Sequence, residues 1–321
     1  MAALAAPLAR GGPAGATLPL TDIRARDPFI LAHKGTYYLY VQMANRAGRE
    51  RARGVEVYRS KDLSAWDGPS AVFELPPDFW AREALSAPEV HFHRGKFYLC
   101  ATFSSNDSLG ERAGRKIERR GTQILWAKSP MGPFHPFANR AHTPADWAST
   151  DGTLWVEDGT PYLVFCRDWT QIEDGTVELL RLQRDLSGPA GNPKMLFHAT
   201  DGPWVQKLEM DEGRLSGFAA EGPFLHRTSK GRLFMIWSSF GTDQRAIGVA
   251  ESQWGSVEGP WIQRPDPLFR GDGGHGMLFR TFEGRLKLAV HRPNRVPLER
   301  ARIFDVDDAG ESLRLTEGVE T

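Results

Sequence analysis

One pattern comes round five times in this chain, and no other feature limits its fold so tightly. Each copy has a polar or acidic signature, a short apolar run, a glycine-bearing turn and an aromatic-rich run. The copies read RDPFILAHKGTYYLYV from Arg26, APEVHFHRGKFYLCAT from Ala87, TDGTLWVEDGTPYLVFC from Thr150, EGPFLHRTSKGRLFMIWSS from Glu221 and GHGMLFRTFEGRLKLAVH from Gly274. Their turn glycines, Gly35, Gly95, Gly159, Gly231 and Gly284, stand 60, 64, 72 and 53 residues apart. A short turn between β-branched and aromatic runs predicts a β-hairpin. Self-similarity at such a period marks a repeat architecture.

Behind each hairpin lies a second strand pair, for example GVEVYRSKDLSAWDGP from Gly54 and ERARIFDVDDAGESLRL from Glu299. Gly-Pro after a turn, as at Gly68-Pro69, suits the start of an outer edge strand. Four strands per copy and five copies predict an all-β fold, a five-bladed β-propeller with four antiparallel strands per blade. Residues 18–321 form this single domain, and residues 1–17, rich in Ala, Gly and Pro, form a tail. The charged segment from Ser104 to Gln123 is expected to be a loop at the channel mouth. It would set subsite depth or pack against a second subunit.

Charge and composition exclude several partners. Forty basic side chains balance forty acidic ones, whereas a nucleic-acid groove or a membrane surface demands a basic excess. No window approaches the ~18 apolar residues of a membrane span. The first twenty residues lack a basic region ahead of their apolar stretch, which argues for a cytoplasmic location rather than a secretion signal. Cys100 and Cys166 sit in aromatic strand-like runs and read as small buried hydrophobes.

In a propeller the first strand of each blade lines the central channel. Asp27, Asp151, Glu221 and His275 each stand at the start of such a strand in a different blade, so all four are expected to meet at one cavity. Carboxylates crowded together and partly desolvated are driven to different pKa values, one ionised and another protonated near neutral pH. Glycosidic bond cleavage requires that split, an acid for the leaving oxygen and a base or nucleophile opposite. The competing possibility is a propeller that binds a sugar or a protein partner without catalysis.

Taken in order, RDPFI (Arg26 to Ile30), SAPEV (Ser86 to Val90), TDGTLW (Thr150 to Trp155), EGPFL (Glu221 to Leu225) and GGHG (Gly273 to Gly276) resemble glycoside hydrolase family 43. The resemblance runs from about Ile23 to Leu315. It implies Asp27 as general base, Asp151 as the group that tunes and orients the acid, and Glu221 as general acid, with inversion at the anomeric carbon. It also implies a hydrated divalent cation, commonly Ca²⁺, on the channel axis near His275. The alternative for that histidine is packing between glycines without a metal.

Two further stretches, VFCRDWTQIEDGTVELLRL from Val164 and VHRPNRVPLERARIF from Val290, look like an arabinosidase-like, exo-acting branch. On that likeness Trp169, Gln171 and Arg292 contact substrate, with Phe103 and Phe240 at the same rim. The substrate class is a terminal arabinofuranose on an oligo- or polysaccharide, with β-xylosidase or a related glycosidase activity as the alternative. Two departures bear on the pocket. Ser86 stands where the family usually has Trp, and Arg167-Asp168 where the branch tends to have His-Glu.

Overall fold

The computed structural model describes residues 17–44, 53–210, 214–242 and 244–316. The expected tail lies almost wholly outside them. Five antiparallel sheets follow one another along the chain as five blades, each with four successive strands as neighbours; Phe269–Arg270 adds to the third strand of blade 4, and Leu208–Met210 with Leu215–Gly217 forms a small separate pair before that blade. The innermost strands are Phe29–His33, Ala84–His93, Ser149–Glu157, Glu221–Arg227 and Gly274–Arg280. Each of them adjoins the inner strands of the blades on either side, and the fifth meets the first, so the ring is closed.

Turn chemistry sorts the five inner hairpins into two kinds. Blades 1 to 3 turn on Lys34-Gly35, Arg94-Gly95 and Asp158-Gly159, with both residues at positive φ. Two such residues make the turn whose twist matches that of the paired strands. Blades 4 and 5 use TSKGR and TFEGR instead, where Thr228 N–H donates to Arg232 O and Thr281 N–H to Arg285 O, both at 2.8 Å. Second strands are the most buried: Leu39, Leu99, Leu163, Met235 and Leu288 are all fully enclosed. They pack blade against blade.

Ring closure does not use a strand shared between the first and last blades. Leu18–Pro19 pairs with Ala65–Glu74 at the outer edge of blade 1. The following segment instead reaches blade 5 through Ala25 N–H to Glu299 O, 3.3 Å, and an Arg24–Glu299 ion pair at 2.8 Å.

A bulge opens four of the five inner strands. Register skips two residues between Ser86 and Glu89, Thr150 and Thr153, Glu221 and Phe224, and Gly274 and Met277. The first skipped residue has positive φ in each: Ala87, Asp151, Gly222 and His275, matched in blade 1 by Asp27. Left-handed backbone at a non-glycine residue costs about 1–3 kcal/mol and persists only where the surroundings enforce it. Here the neighbouring blade enforces it. Thr102, Ser238 and His291 stand at matching places on the second strands of blades 2, 4 and 5, opposite Ser86, Glu221 and Gly274. Each accepts the bulge N–H of the next blade: Asp151 N–H to Thr102 Oγ1 at 2.8 Å, His275 N–H to Ser238 Oγ at 2.9 Å, Asp27 N–H to His291 Nδ1 at 3.3 Å. In blade 3 that place holds Cys166, a weak acceptor. Gly222 N–H turns to Asp151 Oδ2 instead, at 3.1 Å.

The segment expected as a charged loop is a hairpin. Strand Lys96–Arg112 outruns its inner partner, whose last pairing is Ala84 with Ser104, and returns as Arg115–Ala127. Beyond Ser104 its polar residues pair with irregular register, Ser108 with Glu118 and Glu111 with Lys116, rather than forming a coil.

Candidate active site

The bulges place two rows of side chains around one cavity of about 190 Å³ on the channel axis. Asp27, Asp151 and His275, at the left-handed positions, form the deeper row. Arg26, Ser86, Thr150 and Glu221, each one residue earlier, form the shallower one. Burial separates the rows: Asp27 and His275 are 8% and 5% exposed, whereas the Glu221 side chain is 28% exposed. The four residues expected to share one place are therefore offset. Gly222 takes the left-handed position in blade 4 because the Cβ of a larger residue would lie 3.0 Å from the His275 ring.

His275 Nδ1 lies 3.7 Å from Asp27 Oδ1 and 3.8 Å from Asp151 Oδ2, so both carboxylates flank one imidazole nitrogen. Burial pushes the Asp27 carboxyl up. The charge of His275, the hydrogen bond and charge of His291, and Arg26 outweigh it and hold the carboxyl well below the usual range. Burial also pushes Asp151 up, and Asp27 adds to the push. His275, the Gly222 N–H and Arg245 oppose but do not cancel it, and Asp151 stays raised. The two aspartates are thus driven apart, Asp27 ionised and Asp151 the readier to hold a proton. Burial lowers the pKa of His291, whose Nδ1 faces both the Asp27 N–H, at 3.3 Å, and Asp27 Oδ1, at 3.2 Å, with Nε2 3.1 Å from Asn294 Oδ1.

Glu221 forms an ion pair with Arg245. This arginine begins the third strand of blade 4, Arg245–Ser252, and lies over the Phe240 ring at 5.4 Å. Its space exists because residue 274 is glycine: a Cβ there would sit 2.1 Å from Arg245 Nε. Burial pulls the Arg245 pKa down to about 10, so it remains a cation at neutral pH. Its only signal in the sequence is a charge opening an apolar run, RAIGVA, the same signal that picks out Glu221.

The blade 2 hairpin supplies a wall. Arg120 ion-pairs with Asp168 at 2.8 Å, and both line the cavity. Asp168 also accepts the Thr170 N–H, capping the short helix Trp169–Ile172. Farther out, Arg112 donates to Trp169 O at 2.8 Å and Ser216 O at 2.5 Å, which ties the hairpin to blade 3 and to the insertion before blade 4. The two departures from the family pattern, Ser86 and Asp168, both fall on this cavity wall.

Several side chains expected at the rim are elsewhere. Phe103 is fully buried among Phe73, Phe79 and Trp80. Trp169 packs into a small core with Leu215 and Ala219. Gln171 is occupied by Ala148 N–H, Arg167 Nε and Asp146 O. Phe240 supports Arg245 rather than lining the cavity. Arg292 ends strand Leu286–Arg292 beside Gly271, also off the cavity wall. A propeller's packing between blades absorbs large apolar side chains, and sequence spacing does not distinguish that from a rim.

The expected axial cation meets a poor ligand set. Among the described residues no group of three or more His, Cys, Asp or Glu side chains is arranged to hold a metal ion. His275 directs Nδ1 at two carboxylates, and one imidazole suits a hard cation badly.

Comparison with known proteins now identifies the architecture. Residues 16–316 match the pattern of glycosyl hydrolases family 43. The chain belongs to this family. Among solved structures, the endo-arabinase from Bacteroides thetaiotaomicron superposes with a TM-score of 0.80 at 38% identity, covering 91% of this chain and 98% of that one. A thermostable family-43 glycoside hydrolase superposes at 0.73 with 22% identity, over 96% and 97%, a likeness of fold. The extracellular exo-α-(1→5)-L-arabinofuranosidase ArbA of Cellvibrio japonicus is 24% identical over 238 residues, 68% of this chain and 60% of its own length. The chain thus matches well under two thirds of that curated relative. That relative is extracellular, which overturns the cytoplasmic location expected from the first twenty residues. Residues 1–16, on which that expectation leaned, lie outside the described ones.

Proposed function

We propose that this family 43 chain is an inverting, exo-acting hydrolase that removes a terminal arabinofuranose from an oligo- or polysaccharide. The observation that carries this is the convergence of Asp27, Asp151 and Glu221, from three blades, on one cavity of about 190 Å³. Such a volume suits one sugar ring. The wall made by Arg120 and Asp168 favours a chain end over the middle of a polymer. The arabinose preference is supported by two relatives, the exo-arabinofuranosidase and the endo-arabinase.

In this reading Asp27 is the general base. Its depressed pKa keeps it ionised, and it takes the proton of a water that attacks the anomeric carbon. Glu221 gives a proton to the departing glycosidic oxygen on the opposite face, as inversion requires. The ion pair with Arg245 favours the charged carboxylate, so Glu221 takes a proton from solvent as it leaves Arg245 for the glycosidic oxygen, and regains one from solvent after each turnover. Asp151 is a positioning residue. Its Oδ2 holds the Gly222 N–H, which fixes the backbone next to Glu221.

Hydrolysis of aryl α-L-arabinofuranoside, aryl β-D-xyloside and short arabino-oligosaccharides tests the proposal, with proton NMR following the anomer first released. Terminal arabinose released with inverted configuration is the expected result. Faster cleavage of xyloside would shift the sugar, and internal cleavage of long chains would replace exo with endo action.

A further inference from the structure

A second depression of about 170 Å³ adjoins the catalytic cavity and is lined by arginines. Arg24, Arg26 and Arg53 stand around it with Gln42, Leu85 and Glu299, and Arg26 is common to both cavities. Strand direction puts them on one face. Arg24, Arg26 and Leu85 precede or open inner strands, Gln42 closes a second strand, and Arg53 and Glu299 precede third strands. All of these ends lie at the channel mouth.

Its charge is unbalanced. Among the described residues Glu299 is the one acid in the wall, and its buried Oε1 takes both Arg24 Nε and Arg24 Nη2. Two guanidiniums remain over. Arg26 is half-buried and acts electrostatically on Asp27, while Arg53 is exposed. Planar guanidiniums pair with carboxylates through two parallel hydrogen bonds.

We infer that this depression is a subsite for a carboxylate-bearing sugar, a uronate, in the part of the substrate that leaves. The inference rests on the proposed hydrolase reading, because the occupant is taken to be covalently continuous with the sugar in the catalytic cavity. Sharing of Arg26 is what ties the two: it stands in the shallower row, one residue from Asp27. A free inorganic anion would satisfy the same guanidiniums without being joined to the sugar, and phosphate is therefore one arm of the test.

The test uses the terminal pentose joined to galacturonate, and the same compound as its methyl ester, which removes the charge and keeps the sugar. Wild-type enzyme is expected to show kcat/KM for the acid higher by on the order of tenfold at low ionic strength, the range for a hydrogen bond to a charged group. Added salt should erode the ratio. In Arg53→Gln the ratio should fall towards one, with hydrolysis of the neutral aryl glycoside unchanged. Equal rates on acid and ester in wild type, or an undiminished ratio in Arg53→Gln, overturn the subsite. If wild type cleaves neither these compounds nor the aryl glycosides, the hydrolase reading has failed instead. Calorimetry with free galacturonate, its methyl ester and inorganic phosphate then decides the subsite alone. Galacturonate binding weakened by Arg53→Gln upholds it, and binding of phosphate only, or of neither, overturns it.

Discussion

Blades 2 and 4 enter the channel through the same backbone and carry opposite chemistry. One reads Ser86-Ala87-Pro88-Glu89 and the other Glu221-Gly222-Pro223-Phe224, and in both the register skips two residues around a left-handed one followed by proline. In blade 2 the shallower position is a serine and the deeper one a methyl group. In blade 4 they are a carboxylate and a glycine pressed against His275. The left-handed residue is therefore architecture, present at the channel end of every blade. A carboxylate at these two positions is not, since blade 2 takes its place in the ring without one. Desolvating charge at Asp27, Asp151 and Glu221 costs stability, and the fold accepts that cost only where the channel is to do chemistry.

Making blade 4 resemble blade 2 should have the largest effect. Glu221→Gln is expected to cut kcat about 10²–10⁴-fold, the span for a general acid, while circular dichroism stays near wild type and the melting temperature falls, because buried Arg245 loses its charged partner. Glu221→Ser, the blade 2 residue, should do the same. Full activity in either would show that the acid is elsewhere.

Removing the cation behind Glu221 comes next. Arg245→Met keeps bulk and leaves three carboxylates around one imidazole. Urea unfolding should show a loss of roughly 3 kcal/mol, the low end for breaking a buried pair, because Glu221 is 28% exposed. Activity should also fall, with a shifted pH profile that a purely structural lesion would not produce.

Acid should distinguish the blades too. His142, packed on blade 2 away from the channel, accepts the Ile124 N–H at Nδ1, with Nε2 3.0 Å from Leu186 O, and burial lowers its pKa to about 4. A base with a folded pKa below its unfolded 6.5 gives stability that is complete above pH 6.5 and lost as pH falls towards 4. The linkage predicts a loss of up to roughly 3 kcal/mol over that window. Unfolding measured between pH 7 and 4 should show a flatter dependence in His142→Gln than in wild type.

Smallest is the exchange of the two left-handed residues. Gly222→Ala meets both positive φ and the His275 ring and should cost about 1–3 kcal/mol. Ala87→Gly relieves positive φ but gives up a buried methyl worth ~0.8 kcal/mol, so it should stay within about 1 kcal/mol of wild type by the same measurement. Equal costs at the two sites would mean that His275 does not press on blade 4.

Much of this was legible in the chain. The five hairpins, their turn glycines and the three carboxylates could be read from spacing, because a repeat writes the same local constraints five times. The rim could not. Phe103, Trp169 and Gln171 occupy the packing between blades or hold loops together, and the polar groups that do shape the cavity came from less conspicuous places. Arg245 enters from a third strand, Arg120 from an overlong hairpin, Asp168 from a helix cap and His291 from the blade that closes the ring.

By itself the sequence determined the blade count, the turn types and which strands begin with charge, since these follow from residue-level preferences acting over a few positions. Tertiary structure alone decided which row each charge joins, how far the two aspartates are driven apart, and where guanidiniums gather beside them. Those outcomes depend on electrostatics and desolvation, which act through space among groups that the chain holds hundreds of residues apart.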